Sequence, residues 1–193
     1  MKMSQVEKRF VNSATHSRRV SRHAEELLLL AAPQAGQNYL DVGCGNGAAA
    51  IALAYNHGLH VTGVDVDPEQ IRLARQAAEG DRRVRFFEAD ATRLPFVDGE
   101  FHFVASNKVT HHIPNWEAAF AEMARVVAPG GYLIYGDFIL PKPLAAAAGR
   151  LLRGAGMPTA EALRRLAQKN RLAAVHHAKK ILHHDLVWRK AAN

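Results

Sequence analysis

Cysteine is nearly missing from this chain: Cys44 is the only one in 193 residues. No disulfide can form within the chain, which fits a reducing, cytoplasmic setting. Thiolate metal sites and mechanisms that need a cysteine pair are excluded, and no metal site is expected. Long apolar runs are absent as well. The longest near the start, Leu27–Ala32, is far short of the ~20 residues that cross a bilayer. Met1–Val11 has no apolar centre like that of a secretory signal. There is no internal repeat and no low-complexity linker. Acidic residues are scarce at both ends. Residues 1–38 carry six Lys/Arg against three Asp/Glu, residues 39–140 eight against thirteen, and residues 141–193 eleven against two. The middle is therefore acidic and the ends basic, within a net charge of +7. A basic surface suits an anionic substrate, a membrane surface or nucleic acid, but equally a solvated face.

What is present describes one globular unit. Hydrophobic residues make up 48%, enough to oppose disorder, and the length suffices to bury a full core. Short β-rich runs fall at Tyr39–Val42, His60–Val64, Val84–Glu88, Phe101–Ser106 and Tyr132–Tyr135. Helical runs lie between them at Ala48–His57, Pro68–Glu79 and Trp116–Val127. Asp67 reads as an N-cap, with Pro68 at the first helical position and Gln70 at the capping-box position; Asn115 can cap the next helix. A further helix is expected over Thr15–Ala32, and two more over residues 144–153 and 160–170. This alternation implies an α/β fold, a doubly wound, mostly parallel sheet with helices on both faces. The tail stays open: Leu172–His177 and His184–Trp188 read as two last strands or as one helix, because Ala, Lys and His are poor strand formers.

Four short motifs follow the strands. After the first comes Asp41-Val42-Gly43-Cys44-Gly45-Asn46-Gly47. Its glycines permit a tight turn and bare backbone at a helix N-terminus. A pyrophosphate has little use for the carboxylate of Asp41, whereas an amino acid or a sulfonium does, so the loop reads as a site for S-adenosylmethionine. After the second, Asp65 and then Val66 stand about 20 residues beyond the glycines, where an acid accepts from a ribose diol. Asp67 competes for that role, but reads better as a cap. After the third, Asp90 can accept from an adenine amine and Ala91 N–H can donate to the ring, with Leu94 or Phe96 covering the base. After the fourth come Asn107, whose neighbouring carbonyls can receive an ammonium, and His111 and His112. A histidine there can act as general base toward an acceptor or simply shape the pocket. His112 is preferred, because it adjoins the turn Ile113-Pro114. Adjacent histidines rarely converge on one metal ion.

In order and spacing these motifs resemble the class I S-adenosylmethionine-dependent methyltransferases, and within them the small-molecule branch of ubiquinone and menaquinone C-methyltransferases. Gly63-Val64-Asp65, Ala89–Phe96 and Glu122–Gly131 carry the likeness beside the glycine loop, over residues 39–138. The resemblance implies a seven-stranded, Rossmann-like sheet whose last strand is antiparallel, which favours strands in the tail. It implies a single domain over 1–193: a helical substrate cap over 1–38, the cofactor core over 39–138, and C-terminal helices with two last strands over 139–193. It further implies that Gly43, Gly45 and Gly47 pack around the methionyl part of S-adenosylmethionine, that Asp41 meets its ammonium, and that Asp65 and Asp90 hold ribose and adenine. Phe101-His102 departs from the family's Phe-Asp at that point.

The implied activity is in-line methyl transfer to a small, hydrophobic or aromatic acceptor. Specificity is expected in the N-terminal helix, in His111–Trp116 and in the apolar segment 139–158, a lid, a peripheral membrane contact or a packed helix. An RNA acceptor is the alternative that the basic ends suggest. It is disfavoured because Asn107-Lys108-Val109-Thr110 stands where amino-methylating nucleic-acid enzymes often carry Asn-Pro-Pro-Tyr. Gly43-x-Gly45-x-x-Ala48 also satisfies a loose nicotinamide fingerprint, which Asp41, Asp90 and the short chain oppose. A non-catalytic module of this fold is opposed by the intact glycines and acids.

Overall fold

Apolar alternation and helical periodicity resolve into seven strands with helices on both sides. The computed structural model describes residues 13–151 and 155–192; Met1–Val11, and Leu152 and Arg153 of the expected 144–153 helix, lie outside them. In chain order the elements are α1 (Ala14–Leu29), β1 (Asn38–Val42), α2 (Ala48–His57), β2 (His60–Asp65), α3 (Pro68–Ala77), β3 (Val84–Glu88) and β4 (Phe101–Asn107). A 3₁₀ turn (Thr110–His112), α4 (Trp116–Val126), β5 (Val127–Phe138), α5 (Lys142–Leu151), α6 (Ala160–Lys169), β6 (Leu172–Lys180) and β7 (His183–Lys190) follow. The sheet order is β3-β2-β1-β4-β5-β7-β6. Every pairing is parallel except those of β7, which runs antiparallel to both β5 and β6.

The order reverses between β1 and β4, so the loops leaving their carboxyl ends splay apart and open a crevice there. Two apolar cores flank the sheet. Leu27, Leu28, Leu53 and Ile71 of α1, α2 and α3 cover one face. Phe120, Met123, Leu163 and Leu166 of α4 and α6 cover the other. There Phe120 packs edge-on to both Tyr135 and Trp188, so the last strand is held by aromatic burial. Each such side chain contributes on the order of 1.5–3 kcal/mol. This explains why the tail forms strands and not the alternative helix. Poor β propensity yields to pairing with β5 and to the buried Leu186, Val187 and Trp188.

Two expected caps differ from the outcome. Asp67 does cap α3, accepting from Glu69 N–H at 3.0 Å. Gln70, however, forms no capping box: its amide is buried without a hydrogen-bond partner. Asn115 precedes α4, but its side chain makes no cap hydrogen bond. At the departure from the family pattern, His102 Nδ1 accepts from Asn38 N–H at 3.1 Å, so an acceptor at this position still ties the starts of β1 and β4. No helix among the described residues is long and apolar enough to cross a membrane.

Candidate active site

The glycine loop is fixed by backbone bonds before any ligand is considered. Gly43 and Cys44 N–H both donate to the Val64 carbonyl, at 2.7 and 3.0 Å. Asp65 then closes the loop: one carboxylate oxygen accepts from Gly45 N–H at 3.0 Å and the other from Asp67 N–H at 2.9 Å. The three glycines serve different ends. A Cβ at Gly43 would stand 2.2 Å from a Val109 methyl, and one at Gly47 2.6 Å from the Phe86 ring. Only at Gly45 would it meet no clash, with Gln70 Oε1 its nearest neighbour at an ordinary contact distance of 3.8 Å. Gly43 and Gly45 both border the cavity that lies over the loop, whereas Gly47 is not among its lining residues and allows the loop to pack closely on Phe86.

A cavity of about 610 Å³ lies over this loop, within the range of ~300–1,000 Å³ usual for small-molecule sites. Asp41, Gly45, Asp65, Val66, Asp90 and Ala91 all border it, as do Asn107, His111 and His112. Burial, helped by the neighbouring charge of Asp65, pushes the Asp41 carboxyl up to about 7. Burial raises Asp65 too, against the N–H groups that it accepts. Val66 is 54% exposed and lies on the rim. Asp90 holds its own turn, accepting from Thr92 N–H and Oγ1, both at 2.8 Å. Leu94 and Phe96 do not cover the cavity as expected. Leu94 is in the core and Phe96 packs edge-on to Phe101, because the Glu122 and Arg125 side chains pull this segment inward. Glu122 accepts from Leu94 N–H, and Arg125 donates to the carbonyls of Leu94 and Phe96.

Two predictions follow from the acids. Without ligand, Asp41 binds a proton more tightly in the folded than in the unfolded chain, where its pKa is near 3.8. Stability should therefore fall as pH rises from about 4 to about 7. Melting of Asp41→Asn against pH should show that fall removed; an unchanged profile would refute the assignment. Separately, Asp65→Ala should weaken cofactor binding by about 1.5–3 kcal/mol and loosen the loop. Asp67→Ala should mainly lower the melting temperature, costing roughly 1 kcal/mol of helix capping. Calorimetry showing Asp67 as the affinity residue, with Asp65 silent, would reverse these roles.

Sequence reasoning missed the residue behind the histidines. Asp137, at the end of β5, is 1% exposed. One of its oxygens meets His111 Nδ1 at 2.6 Å. The other accepts from Thr110 Oγ1 at 2.6 Å, Thr110 N–H at 2.8 Å and His111 N–H at 3.2 Å. Burial alone would raise the Asp137 carboxyl, but these hydrogen bonds and the His111 ring hold it below the ordinary carboxylate range. Thr110 Oγ1 also meets the Tyr135 hydroxyl at 2.5 Å. The His112 ring lies tilted against that of His111, with centroids 3.9 Å apart and planes at 43°, and borders the cavity, but the carboxylate is aimed at His111. This carboxylate contact distinguishes His111 from the expected His112 as the histidine that Asp137 holds in place. An acid ending an apolar strand was the signal available for Asp137.

Of the segment 139–158, Gly156 supports this site from behind. No described residue beyond Phe138 borders the cavity, so of the three readings of this segment the lid gains no support among the described residues. Instead Gly156 N–H donates to the His111 carbonyl at 3.0 Å, and a Cβ at 156 would stand 2.2 Å from the Thr110 carbonyl oxygen.

The model of the methyltransferase-domain family matches residues 40–135. The chain is 38% identical over 135 residues to 27-O-demethylrifamycin SV methyltransferase of Amycolatopsis mediterranei, covering 68% of this chain and 50% of that protein. The chain belongs to the class I S-adenosylmethionine-dependent methyltransferases. Within this family it is also 40% identical over 104 residues to 2-methyl-6-phytyl-1,4-hydroquinone methyltransferase of Synechocystis, covering 53% of this chain and 32% of the relative. The methyltransferase thus spans half or less of the length of these curated relatives. Its fold matches that of geranyl diphosphate C-methyltransferase of Streptomyces coelicolor, with a TM-score of 0.75 at 16% identity over 93% of this chain and 85% of that one. The methyl donor of this family is S-adenosylmethionine, and the residues present fit it. Asp41 has no hydrogen-bond donor among the described residues, Asn107 Oδ1 is buried without a partner, and Gly45 borders the cavity.

Proposed function

We propose that this methyltransferase carries a methyl group from S-adenosylmethionine to a hydroxyl of a small, hydrophobic or aromatic acceptor. The observation that carries this reading is the His111–Asp137 pair at the cavity wall. A hydroxyl must lose its proton as it attacks, and Asp137 fixes the imidazole with Nδ1 as donor, leaving Nε2 to accept. Bound S-adenosylmethionine supplies a methyl group already activated by its sulfonium. Asp41 and Asn107 would hold the amino-acid end, Asp65 and Val66 the ribose, and Asp90 and Ala91 the adenine. The remaining task of the protein is alignment and exclusion of water. Val20, Ala24 and Leu27 of α1, with Ile113 and Phe138, give the cavity an apolar wall. The rifamycin derivative and the phytyl hydroquinone named for the two relatives are hydrophobic, hydroxyl-bearing molecules, and the first name specifies oxygen as the methylated atom. A cytoplasmic setting belongs to the same reading, as does a surface that can rest against a membrane.

The alternatives, RNA methylation and nicotinamide-dependent oxidoreduction, gain no support from the relatives. The test is formation of S-adenosylhomocysteine with a panel of apolar phenols and hydroquinones, beside purified RNA. Transfer to at least one hydroxylated small molecule, little affected by salt, is expected. Transfer to RNA alone, weakening steeply as salt rises, would overturn the proposal.

A further inference from the structure

Away from the cofactor loop, three side chains from opposite ends of the chain converge on one point. His23 Nε2 lies 2.8 Å from Asp185 Oδ1, and His183 Nε2 lies 3.0 Å from the same oxygen. The three atoms fall within 4.8 Å of one another. We propose that His23, His183 and Asp185 bind one divalent transition-metal ion of the zinc class, which clamps the helix walling the pocket to the last strand.

Four observations support the site. The first is spacing. Zinc bonds of about 2.0–2.1 Å place tetrahedral ligand atoms ~3.3 Å apart, so a small outward shift of the two rings admits the ion. The second is burial. The Asp185 side chain is only 4% exposed, and no lysine or arginine pairs with it among the described residues. A dication compensates such a carboxylate better than imidazoles, which are not permanent cations. The third is the donor set. Two imidazoles and one carboxylate suit zinc, cobalt or nickel, whereas magnesium and calcium prefer oxygen ligands alone. Glu26 Oε2 stands 3.9 Å behind His23 Nδ1, in the place where metal-bound imidazoles commonly find an outer carboxylate. The fourth is room. Asp185 pairs in register with Gly136, where a Cβ would approach its Oδ1 to 3.1 Å.

The position gives the ion a purpose. Val20, Ala24 and Leu27 of α1 wall the cavity. Glu25 already ties α1 to α2, through Asn56 at 3.0 Å and His57 at 2.8 Å. A metal bound through His23 would fasten the same helix to β7. The Phe138 ring stands edge-on to both His111, at 5.2 Å, and His183, at 5.8 Å. The site is therefore one ring removed from the dyad, and its occupancy sets how firmly the pocket wall is held. None of this depends on the acceptor or on methyl transfer.

The test uses untagged full-length protein, stripped with a chelator and titrated with Co(II) by visible absorption and with Zn(II) by equilibrium dialysis. One ion per chain is expected, with a rise in melting temperature. His23→Gln and Asp185→Asn should each weaken binding at least ten-fold and abolish that rise, while binding by the exposed-histidine variant His60→Gln stays unchanged. Far-UV circular dichroism of the metal-free variants checks that they fold. Absence of stoichiometric binding by the wild type, or equal binding by folded His23→Gln and Asp185→Asn, would leave a hydrogen-bonded cluster only and overturn the proposal.

Discussion

Replacing His111 with alanine should lower turnover about 10²–10⁴-fold, the usual worth of a positioned general base, while cofactor affinity stays close to that of the wild type. The expected split follows from place. His111 is held by Asp137 and Gly156, and its ring makes no hydrogen bond to the glycine loop among the described residues, so its loss removes a proton acceptor while the bonds that fix that loop remain. Asp137→Asn should also slow turnover, because an amide no longer dictates which imidazole nitrogen carries the proton. It should cost about 1–3 kcal/mol of stability as well, since an amide turned toward the N–H groups of Thr110 and His111 would face donor with donor. Single-turnover rates, calorimetric cofactor affinity and melting curves on the same variants separate these effects. If His111→Gln keeps most activity, the histidine only shapes the pocket, and catalysis rests on proximity alone. His112→Ala should have the smaller effect; a larger loss there than at His111 would return the base to the neighbouring ring.

The second large effect is expected at the glycines, where a side chain has quite different consequences two residues apart. Gly45→Val should abolish measurable binding of S-adenosylmethionine and leave the fold largely intact. Gly45 borders the cavity and its Cβ would meet no close neighbour, while φ of +53° adds a local backbone strain of about 1–2 kcal/mol. Gly47→Val should instead destabilise the protein, because its Cβ would already clash with Phe86 and Ala74, before the two methyl groups are placed. Overpacking of this kind costs roughly 1–3 kcal/mol or more. Calorimetry and thermal melting on both variants give different patterns: binding lost with the smaller fall in stability for Gly45→Val, and the larger fall in stability for Gly47→Val. The same pattern at both positions would show that the whole loop faces the ligand, as the sequence alone suggested.

Local chemistry written along the chain was legible without coordinates. The strand-to-helix turn at Gly43–Gly47, the Asp67-Pro68 helix start and the succession of acids at Asp41, Asp65 and Asp90 each depend on neighbours a few residues away. Periodicity and turn chemistry act over that range. The alternation of strands and helices fixed a parallel sheet, and with it the fact that every strand-end motif faces one crevice. Only the tertiary structure decided the rest. Asp137 reaches His111 across 26 residues of chain, because β4 and β5 pair with Asn107 opposite Gly136. Leu94 and Phe96 turn inward because Glu122 and Arg125, about 30 residues later, bind their backbone. The tail forms strands despite weak propensity because β5 offers an unpaired edge and Trp188 a buried place. Asp185 meets His23 across 162 residues, a proximity that no local pattern encodes. Contacts of this kind are set by packing and strand register, and their energy is available only once the sheet has closed.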